Sequence, residues 1–328
     1  MSVISTHLLT IGYSQRGVQN IVQSNLNLQL HAGEMVCLIG PNGCGKSTLL
    51  RTIAGVQKAL GGNIYINDKD IDKLSQKEKA LLIALVLTDR VEIENTTVYQ
   101  IVSLGRYPHN NWWGSIDTSD ESQIFEAIQM VHLEHKTNCF YNELSDGEKQ
   151  RVLIAKALAQ DTSIIILDEP TAHLDLPNRV EIMLLLHKLA HKTQKAIVIS
   201  THELDLALQA ADRIWLMSKA HGLEHGVPED LVFNGSFNRA FQSNSYVFNA
   251  SNGNFSMNYP MQKKVAVSGD KTRMYWTFRA LARAGFMVVE NANVHILITS
   301  EGWVMNDERF YSIETLLQSL NNINHSNF

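Results

Sequence analysis

Hydrophobic positions along the chain switch between two rhythms. Near the start they alternate with polar ones. His7 to Tyr13 and Val18 to Leu30 predict strands, Glu34 to Ile39 predicts a short apolar strand ending at glycine, and Asn63 to Ile66 predicts another. Between them a glycine-rich loop leads into Lys46 to Gly55, which reads as a helix. The charged stretch Ser75 to Lys79 precedes the apolar run Leu81 to Leu87. From Thr97 to Gln160 the spacing becomes helical. Val98, Ile101, Val102 and Leu104 mark one helix. Ile124, Ala127, Ile128 and Val131 mark a second after the polar start Thr118 to Ser122, and Lys149 to Ala159 a third.

A second block then alternates strand and helix: Ser163 to Leu167, Arg179 to Lys192, Ala196 to Ser200, Leu204 to Ala211 and Ile214 to Met217. Continuous apolar strands separated by helices imply a mainly parallel sheet covered on both faces. Residues 1–250 therefore read as one α/β domain, with a helical subdomain over about 90–160 interrupting the alternation. Short pieces follow at Pro228 to Val232, Ser236 to Phe241 and Tyr246 to Asn249. The polar stretch Asn249 to Tyr259 suggests a linker, placed at 251–262. Residues 263–328 read as a small separate α/β extension: Lys264 to Ser268, Phe286 to Glu290 and Val294 to Thr299 as strands, Arg273 to Arg283 and Glu314 to Leu320 as helices. Trp276, Phe278, Leu281 and Phe286 are its expected core.

Composition narrows the class. The 328 residues are 45% hydrophobic and 19% charged, as in a globular protein, and the net charge of −5 leans against nucleic-acid binding, which favours a basic face. No apolar run reaches the length that crosses a bilayer, and the first residues lack the pattern of a secretory signal. Cys37, Cys44 and Cys139 are too few and scattered for a disulfide framework, which fits a reducing cytoplasm. A role at a membrane then requires docking onto another chain.

The chemistry lies in short motifs. Gly40, Pro41, Asn42, Gly43, Cys44, Gly45, Lys46 and Ser47 match G-x-x-x-x-G-K-[ST] between a strand and a helix. Glycines let the loop curl so that backbone N–H groups face phosphate oxygens, and the helix adds its positive end. Lys46 supplies a point charge for the β- and γ-phosphates, Ser47 a hydroxyl for Mg²⁺, and Thr48 a further phosphate contact. Ile164 to Leu167 ends in Asp168 and Glu169. Alone this is a buried strand running into an acidic turn; behind a phosphate loop it supplies a metal-holding carboxylate and a general base. His202 follows a second apolar strand and can reach a γ-phosphate, although a lone histidine there more often caps or packs. Ser145 and Glu148 form a capping box, and Ser145 with Gly147 at a helix start is also an anion site.

In this order, the phosphate loop, L-S-D-G-E, I-I-L-D-E-P and a strand ending S-T-H resemble the nucleotide-binding subunit of ABC transporters over roughly residues 3 to 250. The resemblance implies an α/β P-loop NTPase core with a mainly parallel sheet, an antiparallel β subdomain and a helical subdomain. It implies ATP and Mg²⁺ as cofactors. Residues Gly40 to Thr48 resemble the Walker A loop and Ser145 to Glu148 the signature motif. Asp168 and Glu169 resemble the Walker B aspartate and catalytic glutamate, Ala172 to Asp175 the D-loop and His202 the switch histidine. Tyr13 stands where the family stacks an aromatic on adenine. Two copies are implied to sandwich two ATP molecules head-to-tail. Three motifs depart from the pattern. Thr88 stands at the Q-loop glutamine, a shorter candidate Mg²⁺ ligand for which Asp89 is a substitute. Asp146 and Glu148 replace the commoner glycine and glutamine. Ala172 replaces the usual D-loop serine.

Leu104 to His109, with its G-R-x-P sequence, and Gly226 to Leu231 are similar to importers of iron chelates, haem and vitamin B12. The G-R-x-P stretch then reads as a permease contact, against the alternative of a surface turn; Trp112 and Trp113 are either permease-packing or local core. The implied partners are a homodimer mate, integral-membrane permease subunits and, indirectly, an extracytoplasmic solute-binding protein, with no nucleic acid. The location is the cytoplasmic face of the inner (plasma) membrane, peripheral. The competing reading is a soluble ABC-type ATPase acting on nucleic acid or ribosomes. Such proteins usually carry two cassettes or a long coiled coil, and this chain has one cassette and no heptad run.

Overall fold

The computed structural model describes residues 2–87, 94–109, 117–243, 245–251 and 253–322. Thr88, Asp89, Trp112 and Trp113 lie outside them. The first unit begins with β1 (Ser2–Gln15), β2 (Val18–Leu26), β3 (Gln29–His31) and β4 (Met35–Ile39), then α1 (Lys46–Ile53), β5 (Gly61–Ile66) and β6 (Lys69–Asp70). It continues through α2 (Gln76–Leu82), β7 (Ile83–Val86), α3 (Val98–Ser103), α4 (Thr118–Met130), α5 (Asp146–Ala159), β8 (Ile164–Asp168), α6 (Leu176–Thr193) and β9 (Ala196–Ser200). It then runs through α7 (Leu204–Ala210), β10 (Arg213–Ser218), β11 (Gly222–Gly226), α8 (Pro228–Phe233) and α9 (Ser236–Ala240).

Its central sheet has the order β11-β10-β4-β9-β8-β7, parallel except for β11 at the edge. β4, β8 and β9 are buried along their whole length, as strands covered on both faces must be. Alternation divides their side chains between two cores. Cys37, Ile165, Leu167, Ile197 and Ile199 face the helices α3 to α7. Val36, Leu38, Ile164, Ile166 and Val198 face α1 and a second, antiparallel sheet of order β2-β1-β5-β6, with β3 also on β1. The expected fold class is therefore the observed one. β11 was not foreseen: two glycines bound a strand with no fully buried residue, so no hydrophobic rhythm announces it. The β5–β6 turn rests on Asn67 and Asp68, with φ of 46° and 63°, the pair of left-handed residues that a tight hairpin needs.

Helices α3, α4 and α5 pack on one another. Within the G-R-x-P stretch Arg106 faces inward rather than outward. Arg106 is only 7% exposed; its Nε donates to Asp120 Oδ1 at 2.7 Å, and its Nη1 donates to the Ala159 carbonyl at 2.9 Å. A Cβ on Gly105 would stand 2.3 Å from the Lys156 carbonyl oxygen, so glycine is what lets this turn lie against α5. Arg106 therefore bolts the three helices together, and the outward positions are its neighbours Leu104 and Tyr107, which are exposed.

The chain then forms the hairpin β12 (Tyr246–Asn249), a short element the sequence pattern marks, and β13 (Asn254–Met257), which lies within the segment expected as a linker. Phe248 stacks on Phe237 and meets Phe255 edge-on, which places these rings with the first unit. The second compact unit contains Ser256–Phe328 together with Ser243–Val247. Its elements are β14 (Lys263–Gly269), α10 (Lys271–Arg283), β15 (Phe286–Val289), β16 (His295–Ile298), β17 (Trp303–Met305), β18 (Glu308–Phe310) and α11 (Ile313–Asn322), with sheet order β15-β14-β16-β17-β18. Leu281 and Phe286 belong to its core as expected, but Trp276 is 62% exposed and Phe278 37% exposed. The helix turns Leu281 inward and sets these two rings toward solvent. The β17–β18 hairpin was not foreseen; its Asn306–Asp307 turn repeats the paired positive φ.

Breaking the buried Arg106–Asp120 pair leaves a charge without a partner. Arg106→Ala is expected to cost about 3–5 kcal/mol, read as a fall in Tm of roughly 10 °C. The double variant with Asp120→Ala should cost less than the two single changes added together in thermal unfolding.

Candidate functional site

Sheet register builds the site. In the order β4-β9-β8, Ser200 at the end of β9 is the register partner of both Leu38 on β4 and Asp168 on β8. Three parallel strands therefore finish side by side, and the segments that follow them share one edge. After β4 the chain enters Gly40 to Gly45. A Cβ at Gly40 would lie 2.1 Å from the Met217 carbonyl oxygen, and Gly43 and Gly45 hold φ of 70° and 110°. Only glycine takes these positions without strain. α1 starts directly behind the loop with no acidic residue in its first turn, leaving its positive end uncompensated.

Lys46 is buried, and its Nζ donates to the Gly40 carbonyl at 2.9 Å and to the Pro41 carbonyl at 3.5 Å. Burial lowers its pKa from the ordinary lysine value, opposed by the nearby Cys44, Glu169 and Asp168. An ammonium poorly hydrated in this way favours an anionic ligand. Cys44, buried in the same loop, has its thiol pKa raised by burial, so it packs as a small apolar residue. Thr48 meets Tyr13 across the loop's base, Tyr13 Oη to Thr48 Oγ1 at 2.5 Å. That bond holds the half-exposed Tyr13 ring of β1 beside the start of α1.

Asp168 collects the strand ends. Ser47 Oγ donates to its Oδ1 at 3.2 Å, and Ser200 Oγ donates to the same oxygen at 2.6 Å. Ser200 Oγ in turn accepts the Glu169 N–H at 2.9 Å. Glu169 has φ of 51°, an uncommon conformation for a residue with a Cβ, held in place by this bond. Its Oε1 lies 2.7 Å from His202 Nε2. The structure thus brings together Lys46, Ser47, Thr48, Tyr13, Asp168, Glu169 and His202. Sequence reasoning named S-T-H as a strand end but gave Ser200 no role. Its signal was a hydroxyl, 0% exposed, closing an otherwise apolar run. The carboxylate of Asp168 and hydroxyl of Ser47 are hard oxygen donors on one spot, a donor set that fits Mg²⁺.

A second cluster forms at the starts of α5 and α6. Ser145 caps α5 and exchanges hydrogen bonds with Glu148: the Glu148 N–H donates to Ser145 Oγ, and the Ser145 N–H donates to Glu148 Oε2 at 2.9 Å. The Ser145 backbone bond, with Lys136 nearby, lowers the Glu148 pKa. Asp175 caps α6, accepting from the Asn178 N–H at 3.1 Å and from Asn178 Nδ2 at 2.6 Å. A Cβ at Gly147 would fall 2.3 Å from Asn178 Oδ1, so this glycine permits the two helix starts to touch. Ser145, Gly147, Glu148 and Asp175 are thus held by their own helix starts. Ser145 is thus a helix cap, as its capping-box pattern predicts, and a capped helix start still presents N–H groups.

A glycine cradle, a buried lysine and a carboxylate-ended strand on one sheet edge are the parts of a P-loop nucleoside triphosphatase. Residues 23–172 match the family described as ABC transporter, and residues 262–321 match the iron ABC transporter C-terminal domain. The chain is 37% identical over 75% of its length to a probable siderophore transport system ATP-binding protein of Bacillus subtilis, covering 88% of that protein. It is 33% identical over 74% of its length to the iron(3+)-hydroxamate import ATP-binding protein of the same organism, again covering 88%. Among solved structures it resembles a dimeric ATP-binding cassette in a post-hydrolysis state with ADP and Pi, with TM-score 0.59, 28% identity, and coverage of 69% of this chain and 98% of that one. The chain belongs to the ABC transporter ATP-binding proteins and is an ATP hydrolase.

Ser200→Ala should test the scaffold behind Asp168. Removing the hydroxyl that orients the Asp168 carboxylate is expected to lower ATP turnover about tenfold or more, measured as kcat at saturating ATP, with the fold retained by circular dichroism.

Proposed function

We propose that this chain is the ATP-binding subunit of an importer for iron chelates, working as a head-to-tail pair on the cytoplasmic face of a membrane-embedded permease. The observation carrying the solute class is the match of residues 262–321 to the iron ABC transporter C-terminal domain, alongside relatives named for siderophore and iron(3+)-hydroxamate transport. Among the described residues no helix is long and apolar enough to cross a membrane, so in this reading the permease supplies the path and the chain is peripheral. A solute-binding protein outside delivers the chelate. Leu104 and Tyr107, exposed beside the Arg106 bolt, are the proposed permease contact.

In the proposed cycle the N–H groups from Gly40 to Thr48, with Lys46, grip the β- and γ-phosphates of ATP, and the Tyr13 ring lies along the adenine. Ser47 and Asp168 are the proposed Mg²⁺ holders; when bound, the ion neutralises charge on the phosphate oxygens. Glu169 takes a proton from the attacking water, and His202, 2.7 Å from it, orients that carboxylate and the water. The segregation of Ser145, Gly147, Glu148 and Asp175 into their own cluster supports their acting on the nucleotide of a second copy. There the N–H groups at the Ser145 helix start cover the γ-phosphate. ATP then joins two chains, and hydrolysis separates them.

Glu169→Gln removes the base and keeps the size of the side chain. It is expected to lower kcat at least about a hundredfold and to hold an ATP-dependent dimer on size-exclusion chromatography; normal turnover would remove Glu169 from the role. For the solute, vesicles containing the native permease and this chain should take up iron siderophores on addition of ATP. Uptake of haem or cobalamin instead would move the subunit to another solute class.

A further inference from the structure

At the end of the sheet opposite the nucleotide edge, α6 carries His187 and His191 one turn apart, and Asp212 stands just before β10. Their donor atoms converge within 4.8 Å of one another. His191 Nε2 lies 3.1 Å from Asp212 Oδ1, and His187 Nε2 lies 4.0 Å from the same oxygen. The two imidazole rings stand 4.4 Å apart by centroid. From these positions we infer that the three side chains form a binding site for a divalent transition-metal ion of the zinc or iron(II) kind.

The geometry is that of a built site in three respects. Histidines at i and i+4 share one helix face, the spacing that places two imidazole nitrogens on one ion. Ligand atoms around a tetrahedral ion with bonds near 2.0–2.1 Å lie roughly 3.3 Å apart, and the three donor atoms already lie within 4.8 Å of one another. Asp212 is also oriented from behind. Its Oδ2 accepts the Met35 N–H at 2.8 Å, which fixes the carboxylate and turns Oδ1 to the histidines. The adjacent cation Arg213 is engaged elsewhere, its Nε donating to Glu34 Oε1 at 2.9 Å.

A plain ion pair explains less of this. His191 near the end of α6 with Asp212 would be an ordinary helix-end contact. It leaves His187 with its ring against His191 and its Nε2 at 4.0 Å, beyond hydrogen-bond distance of Asp212. A cation among the three engages all of them. Imidazole with carboxylate selects zinc, iron, nickel or copper over magnesium. Three protein ligands, all partly exposed, leave room for water as a fourth. The ion would tie the end of α6 to the starts of β10 and, through the Met35 N–H, β4. β4 separates this position from the phosphate loop by a distance on the order of 15 Å. The site is thus separate from the one proposed for Mg²⁺.

The test uses untagged full-length protein, stripped of metal and free of nucleotide, titrated with Co²⁺ and followed by visible absorption. One equivalent should bind with the d–d band of a nitrogen–oxygen site, and Zn²⁺ should displace it. The His187→Gln/His191→Gln double variant should lose the band and the rise in Tm that Zn²⁺ gives the wild type. Both histidines are partly exposed on a helix and glutamine is a good helix former, so its Tm in chelator should match the wild type. Asp212→Asn, which keeps an acceptor for the Met35 N–H, should weaken Co²⁺ binding while leaving the metal-free Tm in place. Absence of Co²⁺ binding by the wild type, or undiminished binding by the double variant, would overturn the assignment.

Discussion

The Asp168 carboxylate is the point on which the phosphate loop and the strand ends beside it close. One of its oxygens receives Ser47 from the first turn of the phosphate-loop helix and Ser200 from the neighbouring strand. A 4% exposed carboxylate is costly unless hydrogen-bonded, so the three segments must arrive together for any of them to be stable there. Ser200 passes the constraint onward by fixing the Glu169 backbone, and Glu169 reaches His202. Loop, strand ends and the histidine behind them therefore form one connected unit, set by the register of β4, β9 and β8.

That constraint explains why so much was legible in the sequence. Buried parallel strands must be apolar throughout, so Val36 to Ile39, Ile164 to Leu167 and Ile197 to Ile199 stand out as runs. The polar residues that end them are the ones that can do chemistry. Glycines at Gly40, Gly43 and Gly45 were readable because the cradle requires left-handed or crowded backbone. Less was readable where burial does not set the pattern. β11 is an edge strand with no buried residue, and β17 and β18 are three-residue strands joined by Asn306 and Asp307. Ser200 was missed because a strand-ending serine looks the same whether it orients a carboxylate or merely caps. Arg106 was assigned outward because its partners, Asp120 and Ala159, lie on helices that sequence spacing could not bring to it.

The same physics separates the two halves of the proposed nucleotide site. One cluster is fastened by Asp168. The other is fastened by helix caps at Ser145 and Asp175, with Gly147 letting Asn178 approach. Each is rigid by its own bonds, so neither needs nucleotide to take shape. Two pre-shaped surfaces that meet only over ATP make association depend on ligand, which is how nucleotide binding becomes mechanical work on attached subunits in this account.

The central claim, that each nucleotide is shared between two copies, is tested most directly by mixing two inactive variants. Lys46→Ala disables the gripping surface and Ser145→Arg disables the covering one. In a mixed pair one site carries both changes and the other carries neither. The account requires that the mixture regain ATP turnover which neither variant shows alone. If mixing restores nothing while both proteins are folded and pair with wild type, hydrolysis is completed within one chain and the account is contradicted.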